Sequence, residues 1–190
     1  PDGKTYRFPI RQGVRFHDGS ALSCEDARYS LLRFMLLDRP TGGPSFYLLK
    51  PLSGALRTRD EKGNIQVRFK EISGRITCDG PELKIVLPRP YQPLLSVLAQ
   101  YSQVVSKEWT MKAGGWDGSE ESWRRLGEPK KEDSPLFDRF NGTGAFILER
   151  WDKTLKQVTL KRNEGYWRKP AALKRVVVKE APEFSVRRMM

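Results

Sequence analysis

Between Gly13 and Met35 the chain changes its period twice. "GVRF" alternates, with Val14 and Phe16 on one face, and reads as a short strand. "HDGS" follows, and Asp-Gly is a strong turn pair. "SCEDARYSLLRFM" then repeats at helical spacing, with Ala27, Leu31, Phe34 and Met35 following one another along the core side. Ser23 is a good N-cap. Asp26, three residues on, completes a capping-box pair at the positive end of the helix. The helix is expected to run to near Asp38, before "RPTGGP", which cannot continue it. Strand, tight turn and capped helix in so short a span show that the chain mixes helix and strand, and it is read as α+β (mixed α/β).

The rest of the chain uses the same two periods. "KTYRFPIR" alternates, with Tyr6, Phe8 and Ile10 on one face, and Pro9 on the other marks an edge strand. "NIQVRFKEI" alternates Ile65, Val67 and Phe69 against Gln66, Arg68 and Lys70. "GRITCDG" and "ELKIVLPRP" follow across a tight "DGPE" turn, so an antiparallel meander is expected. "YQPLLSVLAQY" reads as a short apolar helix with Pro93 in its first turn. "SQVVSKEW" reads as a buried strand or loop. From Met111 to Ser134 the chain is polar, with Trp116 and Trp123, and is expected to form short helical pieces on the surface. Three strands close the sequence, over 145–151, 157–162 and 174–180.

The residues that carry chemistry are few. His17 is the only histidine in the 190-residue chain, and there are two cysteines, Cys24 and Cys78. A zinc site needs about four Cys/His ligands, or three with an open position, so no metal site is expected. Cys24 sits in the first helical turn, but a nucleophile also needs a base and an orienting group. The neighbouring pairs Glu25/Asp26 and Glu120/Glu121 point in different directions on a helix and do not converge on one atom. No catalytic residue and no cofactor is therefore expected, and the chain reads as a non-enzyme. His17 is read as decoration of a turn, with His17→Ala costing no more than about 0.5 kcal/mol. Whether Cys24 and Cys78 pair is left open by the sequence. "NGTG" lacks the Gly-Lys-Ser/Thr that opens a helix in a phosphate loop, and reads as a turn before a strand.

A formal net charge of +12 raises a second possibility, a basic nucleic-acid-binding module. The basic residues are scattered, however, as in Arg57/Arg59, Arg124/Arg125 and Lys130/Lys131, without a block of like charge. No nucleic-acid partner is expected. Retention on DNA or RNA that depends on salt would favour this alternative. The opening "PDGKTYRF" has no basic start and apolar core of a signal peptide, and its abruptness is read as a piece of a longer protein.

Three motifs in one order resemble a known family. "DGKTYRFPIRQGVRFHDGSALSCEDARYSLLR" is similar to the signature block of the extracytoplasmic solute-binding proteins of peptide- and nickel-type ABC transporters. "YQPLLSVLAQYSQVVSKEW" resembles the family's next segment. "GTGAFILERWDKTLKQVTLKRNEGYWRKPAALKRVVVKEAPE" resembles a later block, with Gly142-Thr143-Gly144, Arg162-Asn163 and Tyr166-Trp167 matching in order. "SVRRMM" resembles the start of the helix that follows.

The resemblance implies a partial periplasmic-binding-protein fold, an antiparallel or mixed sheet with flanking helices and the opposing lobe missing. It implies an extra subdomain of the first lobe over 1–142 and part of that lobe over 143–190. It further implies a substrate-binding component of an ABC importer, outside the cytoplasm, that captures a peptide or similar small solute and delivers it to a membrane permease. A monomer is expected. Two ligand-contact regions of the family fall inside the chain. One is the loop "TGGPSFYLL", where Phe46 or Tyr47 would face the solute. The other is "QYSQVV", with Tyr101, Ser102 and Gln103. Nickel-type members carry an arginine near that second segment. None lies between Leu98 and Lys107 here, which argues against that ligand class.

Overall fold

The computed structural model describes residues 2–37, 43–127, 129–181 and 188. They fall into two compact units. One comprises residues 1–13 and 22–137, the other residues 14–21 and 138–190.

The first unit is built on a three-stranded antiparallel sheet in the order β1-β3-β2, from β1 (Thr5–Pro9), β2 (Ile76–Asp79) and β3 (Glu82–Val86). Pro9 lies on an edge strand, as its missing N–H requires. Leu83 and Ile85 on β3 are buried, and they pair with Phe8 and Tyr6 of β1 and with Cys78 and Ile76 of β2. That register puts the apolar residues of all three strands on one face.

Helix α1 (Cys24–Leu36) covers that face. It starts at the expected cap, where Ser23 and Asp26 form a capping box. Leu31, Leu32, Met35 and Leu36 are buried. The expected end at Asp38 and the helix start in "SVRRMM" lie outside the described residues, Arg188 apart. A disulfide joins Cys24, at the head of α1, to Cys78 in β2, with the Cα atoms 5.9 Å apart, and so staples helix to sheet.

Five shorter helices complete this unit: α2 (Phe46–Ser53), α3 (Phe69–Arg75), α4 (Leu94–Tyr101), α5 (Lys107–Lys112) and α6 (Glu120–Leu126). Three of them correct the sequence reading. Phe46 and Tyr47 are not on a loop but open α2, which buries Leu48, Leu49 and Leu52 and continues through Pro51. The third strand expected over 64–72 is absent: only Ile65 makes an isolated bridge, to Arg59. Phe69 and Ile72, three apart, are buried as one helical face of α3, so a 3.6-residue period overrides the alternation that precedes it. The 111–134 region forms the expected short helical pieces and most of its described residues are exposed or half-buried, but Trp116 and Trp123, 2% and 0% exposed, turn into the core. Their indole N–H groups donate to the Ser119 and Leu36 carbonyls, which lets such polar aromatics be buried.

The second unit carries a three-stranded antiparallel sheet, β4 (Phe146–Asp152), β5 (Gln157–Arg162) and β6 (Arg175–Lys179), in that order. These are the three closing strands read from the sequence. Residues 14–21 belong to this unit, but "GVRF" is not a strand. Arg15 makes a single bridge to Ala21, because the Phe16 N–H closes at once on the Ser20 carbonyl across the Asp18-Gly19 turn.

Candidate functional site

The aromatic residues named from the sequence meet in the first unit. Tyr47, in the first turn of α2, stacks on Tyr101, the last residue of α4, with ring centroids 5.7 Å apart and planes 12° from parallel. Phe46 packs against Tyr47 at 4.1 Å. Tyr101 stacks in turn on Phe34 of α1 at 5.6 Å. The result is a row of four rings drawn from three helices. Phe46 and Tyr47 are 37% and 40% exposed, and Tyr101 is half-buried. Phe34 was not singled out as a site residue; it lies on the core stripe of α1, and the sequence cannot show that a core ring extends a surface row.

Local structure holds the elements that carry the row. Leu48 and Leu49, next to Tyr47, are buried and anchor α2. The segment after α4 is pinned to α1 by two polar residues. Ser30 Oγ accepts the Val105 N–H at 2.9 Å and donates to the Asp26 carbonyl at 2.7 Å. Asp26 Oδ1 accepts the Lys107 N–H at 2.8 Å, while Oδ2 accepts the Ser23 N–H and hydroxyl. One buried carboxylate thus caps α1 and fixes the lead into α5, its two oxygens satisfying three donors.

The other two named residues take different places. Ser102 is exposed and borders a largely apolar cavity of about 320 Å³ between α4 and the sheet, with Phe8, Leu31 and Leu95. The Gln103 side-chain amide turns back and donates to the Gln100 carbonyl at 2.8 Å. Phe46 and Tyr47 border another cavity, of about 710 Å³, together with Lys50, Arg75, Arg89 and Tyr91. Arg75 is held there by Glu71 at 3.0 Å. A groove with three aromatic rings and an excess of cations can hold a flat or apolar solute that carries negative charge.

In the second unit the motifs around His17 and "NGTG" converge on each other. The Asn141 side chain accepts the Asp18 N–H at 3.1 Å and donates to the Asp18 carboxylate at 2.8 Å. The His17 N–H donates to the Gly142 carbonyl at 2.9 Å. Ring Nε2 faces the Gly144 carbonyl at 3.1 Å and Nδ1 the Gly142 N–H at 3.4 Å, which suits donation through Nε2 and acceptance at Nδ1. Asn163 donates to the same Gly144 carbonyl at 3.0 Å. Burial opposes ionisation of Asp18, but hydrogen bonds from Ser20 and Asn141 outweigh it and hold the carboxyl below its ordinary range. This is a structural knot. The neutral-decoration reading of His17 understates it, because the ring is half-buried and bonded at both nitrogens. Among the described residues no group of three or more His, Cys, Asp or Glu is placed to hold a metal ion.

Comparison with known proteins follows the same lines. All of residues 1–190 match the family described as bacterial extracellular solute-binding proteins, family 5 Middle, and the chain belongs to that family. It is 27% identical over 194 residues to the dipeptide-binding protein of Escherichia coli K12, covering 98% of this chain and 31% of that protein. It is 26% identical to the oligopeptide-binding protein OppA of Bacillus subtilis 168, over 88% of this chain and 27% of that one. The chain thus spans about a third of the length of these relatives. Among solved structures, the periplasmic binding protein DppA of Helicobacter pylori, in complex with a peptide, is similar over all of this chain and 33% of its own, with TM-score 0.60 and 22% identity. The agropinic acid complex of AgaA from an Agrobacterium gives TM-score 0.64 at 21% identity, over all of this chain and 30% of its own. These last two likenesses speak for the fold. No described helix is long and apolar enough to cross a membrane.

Proposed function

We propose that the chain is part of the substrate-binding component of an ABC importer, working outside the cytoplasm. Phe46, Tyr47 and Tyr101 form one wall against which a peptide or similar small solute is held before delivery to a membrane permease. In this reading, residues 1–142 are the extra subdomain of the first lobe and residues 143–190 part of that lobe. The observation that carries it is the stack of Tyr47 on Tyr101. Two segments named separately as contact regions come together as a row that remains open to solvent at Phe46 and Tyr47. Rings supply contact area at low entropic cost, and the buried leucines beneath keep them in place. Ser102 and Gln103 enter this reading as rim contacts, near the row in sequence but outside the stack.

The test begins with native mass spectrometry of the full protein purified without added ligand, which names the solute that travels with it. Tyr47→Ala and Tyr101→Ala should then each weaken binding of that solute at least about tenfold, or 1.4 kcal/mol, with little change in melting temperature. Unchanged affinity in both variants removes the row from the site.

A further inference from the structure

Arg33 lies on α1 among the buried Leu32, Met35 and Leu36, and it borders an open cavity of about 460 Å³. The partner of its side chain in the first unit is the Ser134 hydroxyl, which accepts from Nη2 at 3.2 Å. Other arginines of the chain behave differently. Arg7, Arg75, Arg124, Arg162 and Arg175 each reach a carboxylate at 3.0 Å or less. Among the described residues Arg33 has no ion pair, although burial acts on it strongly enough to push its pKa down, with the nearby Tyr29 hydroxyl opposing. A half-buried guanidinium without a carboxylate is under-compensated, and its planar fork of donors is shaped for one.

The cavity walls are flat and apolar. Phe34, Trp116 and Phe137 line it beside Arg33 and Ser134. Among the described residues the other charged ones that line it are Lys130 and Asp133, of opposite sign, so Arg33 decides the sign of their sum. The volume is ample for one small ring compound. Gly115 makes a close-packed part of the same lining, since a Cβ there would lie 2.6 Å from the Thr110 side chain.

We propose that this cavity is a binding site for a small carboxylic acid with a flat apolar body. Arg33 and the Ser134 hydroxyl take the carboxylate, and Phe34, Trp116 and Phe137 take the body. The site lies wholly within the first unit and does not depend on the solute wall at Tyr47, although Phe34 also ends the aromatic row through its stack on Tyr101.

Benzoate is the probe, with benzamide as its uncharged counterpart, titrated into the full protein by calorimetry and by NMR of the Trp116 indole N–H. Benzoate should saturate with a Kd of about a millimolar or below and shift that resonance, while benzamide should bind at least about tenfold more weakly. Arg33→Met should abolish the difference between the two compounds. Arg33→Lys, which keeps the charge but not the fork, should weaken benzoate several-fold. Tyr47→Ala should leave benzoate binding unchanged, which separates this site from the solute wall. Equal binding of benzoate and benzamide to the wild type, or no saturation by benzoate, overturns the proposal, and both readings stand even if Arg33→Met fails to fold.

Discussion

In the first compact unit Met35, Leu49, Ile72, Leu94 and Trp123 are fully enclosed, each 0% exposed. In the second, Val177, Val178, Leu155 and Leu173 are 47%, 55%, 67% and 63% exposed, and the described residues that are buried are Val14, Phe16, Asn141 and Asn163. The first unit is a helix-covered sheet held by apolar burial, where each enclosed large side chain contributes about 1.5–3 kcal/mol. The second is held by its strand ladder and by hydrogen bonds among His17, Asp18, Asn141, Gly144 and Asn163. Two neighbouring parts of one chain therefore rest on different forces. Substitutions should separate them cleanly.

The largest effect is expected from Trp123→Ala. It empties a fully enclosed site, removes the hydrogen bond to the Leu36 carbonyl and strips Arg59 and Arg124 of the ring they lie over. A loss of about 3–5 kcal/mol should appear in denaturant unfolding. Less than about 1 kcal/mol would mean that this tryptophan is not part of the core. Nearly as large is the disulfide. Cys24 and Cys78 close a loop with a sequence separation of 54 residues, for which chain entropy gives about 4 kcal/mol. The double Cys→Ser variant should lower the first unit's melting temperature and leave amide exchange in the β4–β6 sheet unaltered. A matching loss of protection in that sheet would show that the two units unfold together.

An intermediate effect is expected in the polar knot. Asn141→Ala leaves the Asp18 N–H and carboxylate without their partner and should cost about 1–3 kcal/mol. The same knot gives a pH dependence with a definite sign. The Asp18 carboxyl titrates below its ordinary value in the folded protein. Its contribution is therefore fully present above the ordinary carboxylate range and is lost as pH falls through the depressed native value. Asp18→Asn should flatten the acid limb of the stability profile. An unchanged acid limb would take Asp18 out of the knot's energetics.

How much of this was legible in the sequence depends on which force holds each part. The capping box at Ser23 and Asp26, the Asp-Gly turn and the three closing strands were readable because local chemistry decides them. So was the edge position of Pro9, through its missing donor. The helix at 46–53 was not, because Pro51 speaks against it and only the packing of Leu48, Leu49 and Leu52 makes it form. Nor was the turn of Phe69 into α3, where burial of Ile72 overrides local alternation. The two pieces of the aromatic row were named, but their contact spans more than fifty residues and no spacing rule reaches that far. Arg33 was silent for the same reason. An arginine on a helix normally reads as solvated surface, and only the fold reveals the cavity beside it.

The smallest effect should come from the exposed face of β6, and it is the sharpest check on the contrast between the units. Val177 and Val178 are consecutive in a strand, so their side chains point to opposite faces of the sheet. Both are about half exposed, so neither face of β6 is covered by the described residues. Threonine keeps the β-branch and most of the strand preference of valine while adding a hydroxyl that water can satisfy. Val177→Thr and Val178→Thr should each change stability by no more than about 0.5 kcal/mol, the usual range for exposed positions. Ile85→Thr on β3, a buried strand position of the first unit, provides the reference and should cost several times more. If either valine variant costs more than about 1 kcal/mol in the full protein, that side chain is buried there by another part of the molecule. The second sheet would then have an apolar core of its own, completed from elsewhere, and the contrast drawn between the two units would fail on that face. If both variants are silent, β6 stands on its ladder, and apolar burial in this unit is confined to Val14 and Phe16 beside the Asn141 and Asn163 knot.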